Sequence, residues 1–132
     1  MLVALTDERD ELHARAVRDL GLPRRQPLGL TSVVLSEACF LLPKGYQRRR
    51  LEFLIERMSV LAVELEPPWW GDVFAWLDKY EEHDPDLADA QLAVLCSRRT
   101  DCRVWSYDSE FRTTWRRTSG SRIPLFGRQP GR

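Results

Sequence analysis

The sequence predicts an α/β fold in which a parallel sheet is covered by helices on both faces. Three observations point there. Short apolar stretches at 27–31, 60–65 and 103–107 have the length of buried strands. The segments between them carry apolar residues at helical spacing. Strand-like and helical pieces therefore alternate along the chain, the pattern of parallel-sheet folds, which bind ligands beyond the carboxyl ends of their strands.

Each element has its own justification. Residues 2–20 read as helix, with Leu2, Leu5, Leu12, Ala16, Val17 and Leu20 on a rough 3.6 period and a charged turn at 7–11 where the helix can break. Gly21 and Pro23 stop it. After the strand at 27–31, Thr31 or Ser32 caps a helix that runs to Pro43 and Gly45. Residues 46–58 form a basic amphipathic helix, with Leu51, Phe53, Leu54 and Ile55 on its apolar side and Arg48-Arg49-Arg50 at its start. A strand at 60–65 follows. Beyond Pro67-Pro68, Trp70, Val73, Phe74 and Leu77 mark a helix over 69–82, whose Trp70 and Trp76 are expected in a core or a dimer interface. A loop at His83-Asp84-Pro85 leads to a helix over 87–98, and the strand at 103–107 runs into Asp108-Ser109-Glu110-Phe111.

A chain of 132 residues is long enough to bury a core without staples, so one domain over 1–132 is expected, with 119–132 as a flexible or partly ordered basic tail. Hydrophobic residues at 43% and charged residues at 30% exclude a disordered chain. Cys39, Cys96 and Cys102 are odd in number and lack zinc-like spacing, which predicts free thiols in a reducing compartment. The first residues carry neither a basic leader nor a long apolar stretch, so a cytoplasmic protein with no membrane anchor is expected. Basic and acidic residues cancel in total, yet residues 1–97 carry net −6 and residues 98–132 net +6. Such a basic end suits a polyanion or an acidic partner segment. His13 and His83 fit no nucleophile pattern and read as surface residues.

Three acidic places stand out. Glu37 sits inside Thr31-Ser32-Val33-Val34-Leu35-Ser36-Glu37-Ala38-Cys39-Phe40-Leu41-Leu42, and a charge in so apolar a helix is expected to be buried and to need a partner. The alternative is a narrow wet stripe of Ser32, Ser36 and Glu37. Asp86 and Asp89 precede an apolar helix, where Asp86 reads as its N-cap and Asp89 as the better ligand. Asp108 follows a strand directly, which is ordinary for a turn residue and also where such folds place their chemistry. Were Glu37, Asp89 and Asp108 to meet, their repulsion would call for a hard divalent ion, and magnesium or manganese would suit phosphodiester hydrolysis.

The run around Glu37, then Asp86-Leu87-Ala88-Asp89-Ala90-Gln91-Leu92-Ala93, then Ser106-Tyr107-Asp108-Ser109-Glu110-Phe111, resembles in order and spacing the motifs of PIN domains, and among them VapC-type toxins of toxin–antitoxin pairs. The resemblance implies a three-layer α/β/α fold and a metal-dependent endoribonuclease that uses Mg2+ or Mn2+ to hydrolyse RNA. It places Glu37, Asp89 and Asp108 as catalytic metal ligands, with Asp86, Ser106 and Glu110 supporting them. It also implies a homodimer held inactive by a small antitoxin. One departure is at the front, where PIN domains open with a central strand ending in Asp. Here the chain begins at the helix that follows, and Asp7 does not fill the vacant role. A start placed too late and a truncated, inactive module that binds an antitoxin or sister subunit are the two expectations this raises. A nuclease of RNA processing or of DNA is the remaining class.

Overall fold

The computed structural model describes residues 1–127. It is a mixed helix and strand structure that groups into two compact units, Met1–Glu64 with Gly127, and Leu65–Phe126, where chain length alone predicts one domain.

In the first unit, the expected break at 7–11 divides the leading helix into α1 (Leu2–Thr6) and α2 (His13–Leu20). The cause is local: the Asp7 and Asp10 carboxylates accept the backbone N–H of Arg9 at 3.0 Å and of Leu12 at 2.8 Å, competing with helix continuation. His13 Nδ1 lies 2.7 Å from the Ala4 carbonyl, tying the start of α2 back to α1. Strand β1 (Gly29–Leu30) leads through Thr31, whose hydroxyl accepts the Val34 N–H at 3.4 Å, into α3 (Ser32–Leu41). After Pro43, the Lys44 N–H donates to Gln47 Oε1 at 3.1 Å where α4 (Gly45–Arg57) begins. The chain then enters β2 (Leu61–Ala62), which pairs parallel with β1, Gly29 opposite Leu61 and Leu30 opposite Ala62. Two strands joined in parallel through helices match the predicted connection, although each is shorter than its apolar run. At Gly29 a Cβ would lie 2.7 Å from Val63 Cγ2, so a side chain there would force Val63 to shift. Leu2, Ala38, Leu42 and Leu51 form the core, with Val34, Leu35, Cys39 and Ile55 packed against it.

In the second unit, α5 (Trp70–Lys79) and α6 (Leu87–Arg98) run antiparallel, with a short 3-10 turn (Glu81–His83) between them. Ala88, Ala90 and Ala93 are buried on α6, and such small side chains permit close helix approach. Trp76, Tyr80 and Trp115 form an aromatic cluster, Trp76 lying 4.6 Å from Tyr80 in a tilted pair and 5.2 Å from Trp115 edge-on, between ring centroids. Trp76 Nε1 donates to the Arg116 carbonyl at 2.8 Å. Arg98 clips the start of α5, donating to the carbonyls of Glu66 at 2.8 Å and Pro68 at 3.1 Å and to Asp72 at 3.0 Å. Arg117 closes the end of α6 through the Cys96 and Thr100 carbonyls, where a cation also suits the helix dipole.

The expected strand at 103–107 is reduced to one parallel bridge between Val104 and Leu125. Its hydrogen bonds, Val104 N–H to the Pro124 carbonyl and Phe126 N–H to the Val104 carbonyl, are both 2.9 Å. In the stretch expected as a tail, Ile123 and Phe126 are buried, and residues 128–132 lie outside the described residues. A short helix, α7 (Glu110–Thr113), follows Asp108. Cys39, Cys96 and Cys102 are free thiols. No helix among the described residues is long and apolar enough to cross a membrane.

Candidate functional site

The acids of the second unit are positioned by local backbone chemistry. Asp86 is the N-cap of α6: its Oδ1 accepts the Asp89 N–H at 2.8 Å, while Asp89 Oδ2 accepts the Asp86 N–H at 3.1 Å. This reciprocal box satisfies two otherwise orphaned donors and fixes the Asp89 carboxylate at the first turn. Asp86 is exposed and Asp89 half-buried.

Asp108 is held by two tight turns. Ser106 Oγ accepts the Asp108 N–H at 3.1 Å, and Asp108 Oδ1 accepts the Glu110 N–H at 2.9 Å. Ser106 thereby orients Asp108, and Asp108 starts the turn into α7. Asp108 itself is exposed. Glu110 is half-buried, and its Oε2 is buried with no hydrogen-bond partner.

Burial pushes the Asp89 carboxyl up to about 7, with the neighbouring Asp86 and Asp108 charges adding to the rise and the Asp86 N–H opposing it. Asp108 is therefore within electrostatic reach of Asp89. Of these influences that of Asp108 is the smallest.

Glu37 differs from its expectation. It is exposed on α3, not buried, and Ser32 and Ser36 are exposed with it, so the wet stripe is what forms. The physical reason is that α3 commits only Ala38 fully to its core, leaving Phe40 84% and Leu41 61% exposed. An apolar composition around the helix does not bury every face of it. Glu37 lies in the first unit, close enough to the Met1 amine to favour its charged form. Burial is the larger influence and lowers that amine's pKa, against the opposing pull of Asp10 and Glu37.

The oxygen-only set of Asp89 and Asp108 suits a hard divalent ion better than zinc. A carboxyl that keeps its proton to about pH 7, and a buried Glu110 oxygen without a donor, are both groups that a cation would satisfy. Among the described residues, no three His, Cys, Asp or Glu side chains are grouped so that they could hold a metal ion. Magnesium commonly binds through one or two carboxylates, completing its shell with water and substrate phosphate. His83 is exposed and His13 is engaged with α1, so neither joins the acids.

Sequence reasoning missed the anchoring role of Arg98, whose partners lie 26 to 32 residues away and leave no local signal. It also grouped Trp70 with Trp76, although Trp76 is buried and Trp70 is 61% exposed. Helical spacing identifies a shared face but not whether that face is covered. Compared with known proteins, the chain matches no family model, and no curated protein or solved structure matches it significantly.

Proposed function

We propose that this chain is a metal-dependent endoribonuclease of the PIN type, the VapC-like toxin of a type II toxin–antitoxin pair, with the three-layer α/β/α arrangement of that family. The observation that supports the proposal is the half-buried Asp89 carboxyl, raised to about 7 chiefly by burial, together with the unpartnered Glu110 oxygen. Asp89 and Asp108 would hold Mg2+ or Mn2+, Asp86 fixing Asp89 through the α6 box and Ser106 fixing Asp108 through its turn. When bound, the cation supplies an activated water and stabilises charge on the leaving oxygen. The chain's own contribution is to orient the carboxylates and to deliver Asp89 ionised once the cation replaces its proton. A cytoplasmic location and a homodimer belong to the same proposal.

Asp89→Asn and Asp108→Asn should each abolish Mg2+- or Mn2+-dependent cleavage of single-stranded RNA by the full chain while leaving it folded. Cleavage that persists in the Asp89 variant would refute the assignment.

A second reading is a non-catalytic module that binds an antitoxin or sister subunit. It is favoured by the bulky side chains that α3 and α4 leave exposed: Phe40, Leu41, Tyr46 and Phe53. A stability indifferent to Mg2+, combined with tight binding of a partner protein and no RNA cleavage, would select it.

A further inference from the structure

Two helices, one in each unit, leave aromatic rings in water. On α4, Tyr46 and Phe53 stand two turns apart, 54% and 61% exposed, and the exposed Arg49 and Arg57 fall on the same side at helical spacing. Leu51, on the other side, packs into the core. On α5, Trp70 and Phe74 stand one turn apart, 61% and 58% exposed, and the exposed Asp78 continues that stripe by a further turn. Glu81 and Glu82 follow it in the 3-10 turn, both exposed. Rings of this size on one face of a helix are costly in water unless something covers them.

The two faces carry opposite charge. Over residues 44–57 basic side chains outnumber acidic ones five to two, net +3, and over 70–84 acidic ones outnumber basic ones five to one, net −4. Some of these charges are already engaged: Arg50 pairs with Glu8 at 2.8 Å, Asp72 pairs with Arg98 at 3.0 Å, and Lys79 lies over the Tyr80 ring. Arg49 and Arg57 on the first face, and Asp78, Glu81 and Glu82 on the second, form no ion pair among the described residues. One face is therefore aromatic and cationic, the other aromatic and anionic. An RNA or an acidic peptide would suit the first and leave the second in water. A second copy of this chain suits both, because each copy brings a face of either kind, and two copies can make the contact twice as closed two-fold dimers do. Aromatic residues and Arg are also the side chains that concentrate at the centres of protein interfaces.

We propose that α4 of one copy docks on α5 of a second copy, Tyr46 and Phe53 packing against Trp70 and Phe74 while Arg49 and Arg57 meet Asp78, Glu81 and Glu82. This gives the homodimer of the proposed function its interface and rests on that homodimer, but not on the nuclease chemistry.

The test is sedimentation velocity of the full chain at micromolar concentrations, with circular dichroism to confirm that each variant is folded. The wild type should dimerise. Arg49→Glu with Arg57→Glu, and separately Asp78→Lys with Glu81→Lys, should each weaken the dimer about 10- to 100-fold, since like charges then face one another. Mixing the two double variants should restore a heterodimer close to wild-type strength, a rescue that misfolding cannot produce. A monomeric wild type, a dimer that neither double variant weakens, or a mixture that stays monomeric would overturn the interface. So would a monomeric wild type whose affinity for single-stranded RNA is lost with Arg49→Glu and Arg57→Glu, which would assign the α4 face to RNA. A dimer that behaves as expected but cleaves no RNA with Mn2+ would uphold the interface and remove the nuclease reading, whereas RNA cleavage by a monomeric wild type would remove the interface alone.

Discussion

Replacing Asp89 by Asn isolates the electrostatic cost that the empty acid site imposes on folding. In the folded chain the Asp89 carboxyl is raised from its ordinary 3.8 to about 7, first by burial and then by the Asp86 and Asp108 charges. A rise of that size would correspond to about 4 kcal/mol for a dry group. Asp89 is only half-buried, so solvent screening reduces this to about 1–2 kcal/mol. The sign follows from linkage. The folded state holds the proton more tightly than the unfolded one, so the stabilisation it brings is complete below about pH 4 and is lost as pH rises to about 7. Asparagine is neutral throughout and its Oδ1 can still accept the Asp86 N–H that Asp89 accepts now. Asp89→Asn should therefore match the wild type in urea denaturation at pH 4 and exceed it by about 1–2 kcal/mol at pH 8 without added metal. A difference that is the same at both pH values, or a variant less stable at pH 8, would refute the reasoning.

Other substitutions probe the packing that carries the acids. Leu51 is 2% exposed in the core of the first unit, and Leu51→Ala should cost about 2–5 kcal/mol in chemical denaturation. A loss below about 1 kcal/mol would mean that this core is not cohesive. Arg98→Ala removes three hydrogen bonds that hold the start of α5, and should destabilise the chain by about 1–3 kcal/mol while raising hydrogen exchange around 66–72. Exchange unchanged there would show that the clip contributes nothing. Thr31→Ala should cost about 0.5–1 kcal/mol through the lost cap on α3, the low end of the range because its hydrogen bond is long at 3.4 Å.

What the sequence made legible is uneven, for physical reasons. Helix α6 was readable to the residue because its signals are local: Asp86 caps it, Asp89 closes the box, and alanine and leucine fill the run to Arg98. The break between α1 and α2 was legible as a charged turn, since aspartate side chains compete with the helix wherever they occur. A parallel sheet followed from strand-like composition on either side of helices, but which strands pair and how short they are did not. Val104 meets Leu125 across 21 residues, a pairing that no periodicity announces. Glu37 shows the main limit. Its helix is apolar nearly all round, yet that composition could not say which residues the rest of the unit would cover, and Glu37 is exposed beside Phe40. In the candidate site, the Asp86 box and the Ser106–Asp108–Glu110 turns were within reach of sequence because each spans three residues or fewer. The influence of Asp108 on Asp89 needed the fold.

Cation binding at the α6 acids is the premise on which the proposed chemistry stands, and calorimetric titration of the full chain with Mn2+ addresses it most directly. The account predicts saturable binding by the wild type that tightens as pH rises through about 7, where Asp89 gives up its proton, and loss of that binding in Asp89→Asn and Asp108→Asn. A wild type that takes up no Mn2+, or an Asp89 variant that binds it equally well at every pH, would contradict it.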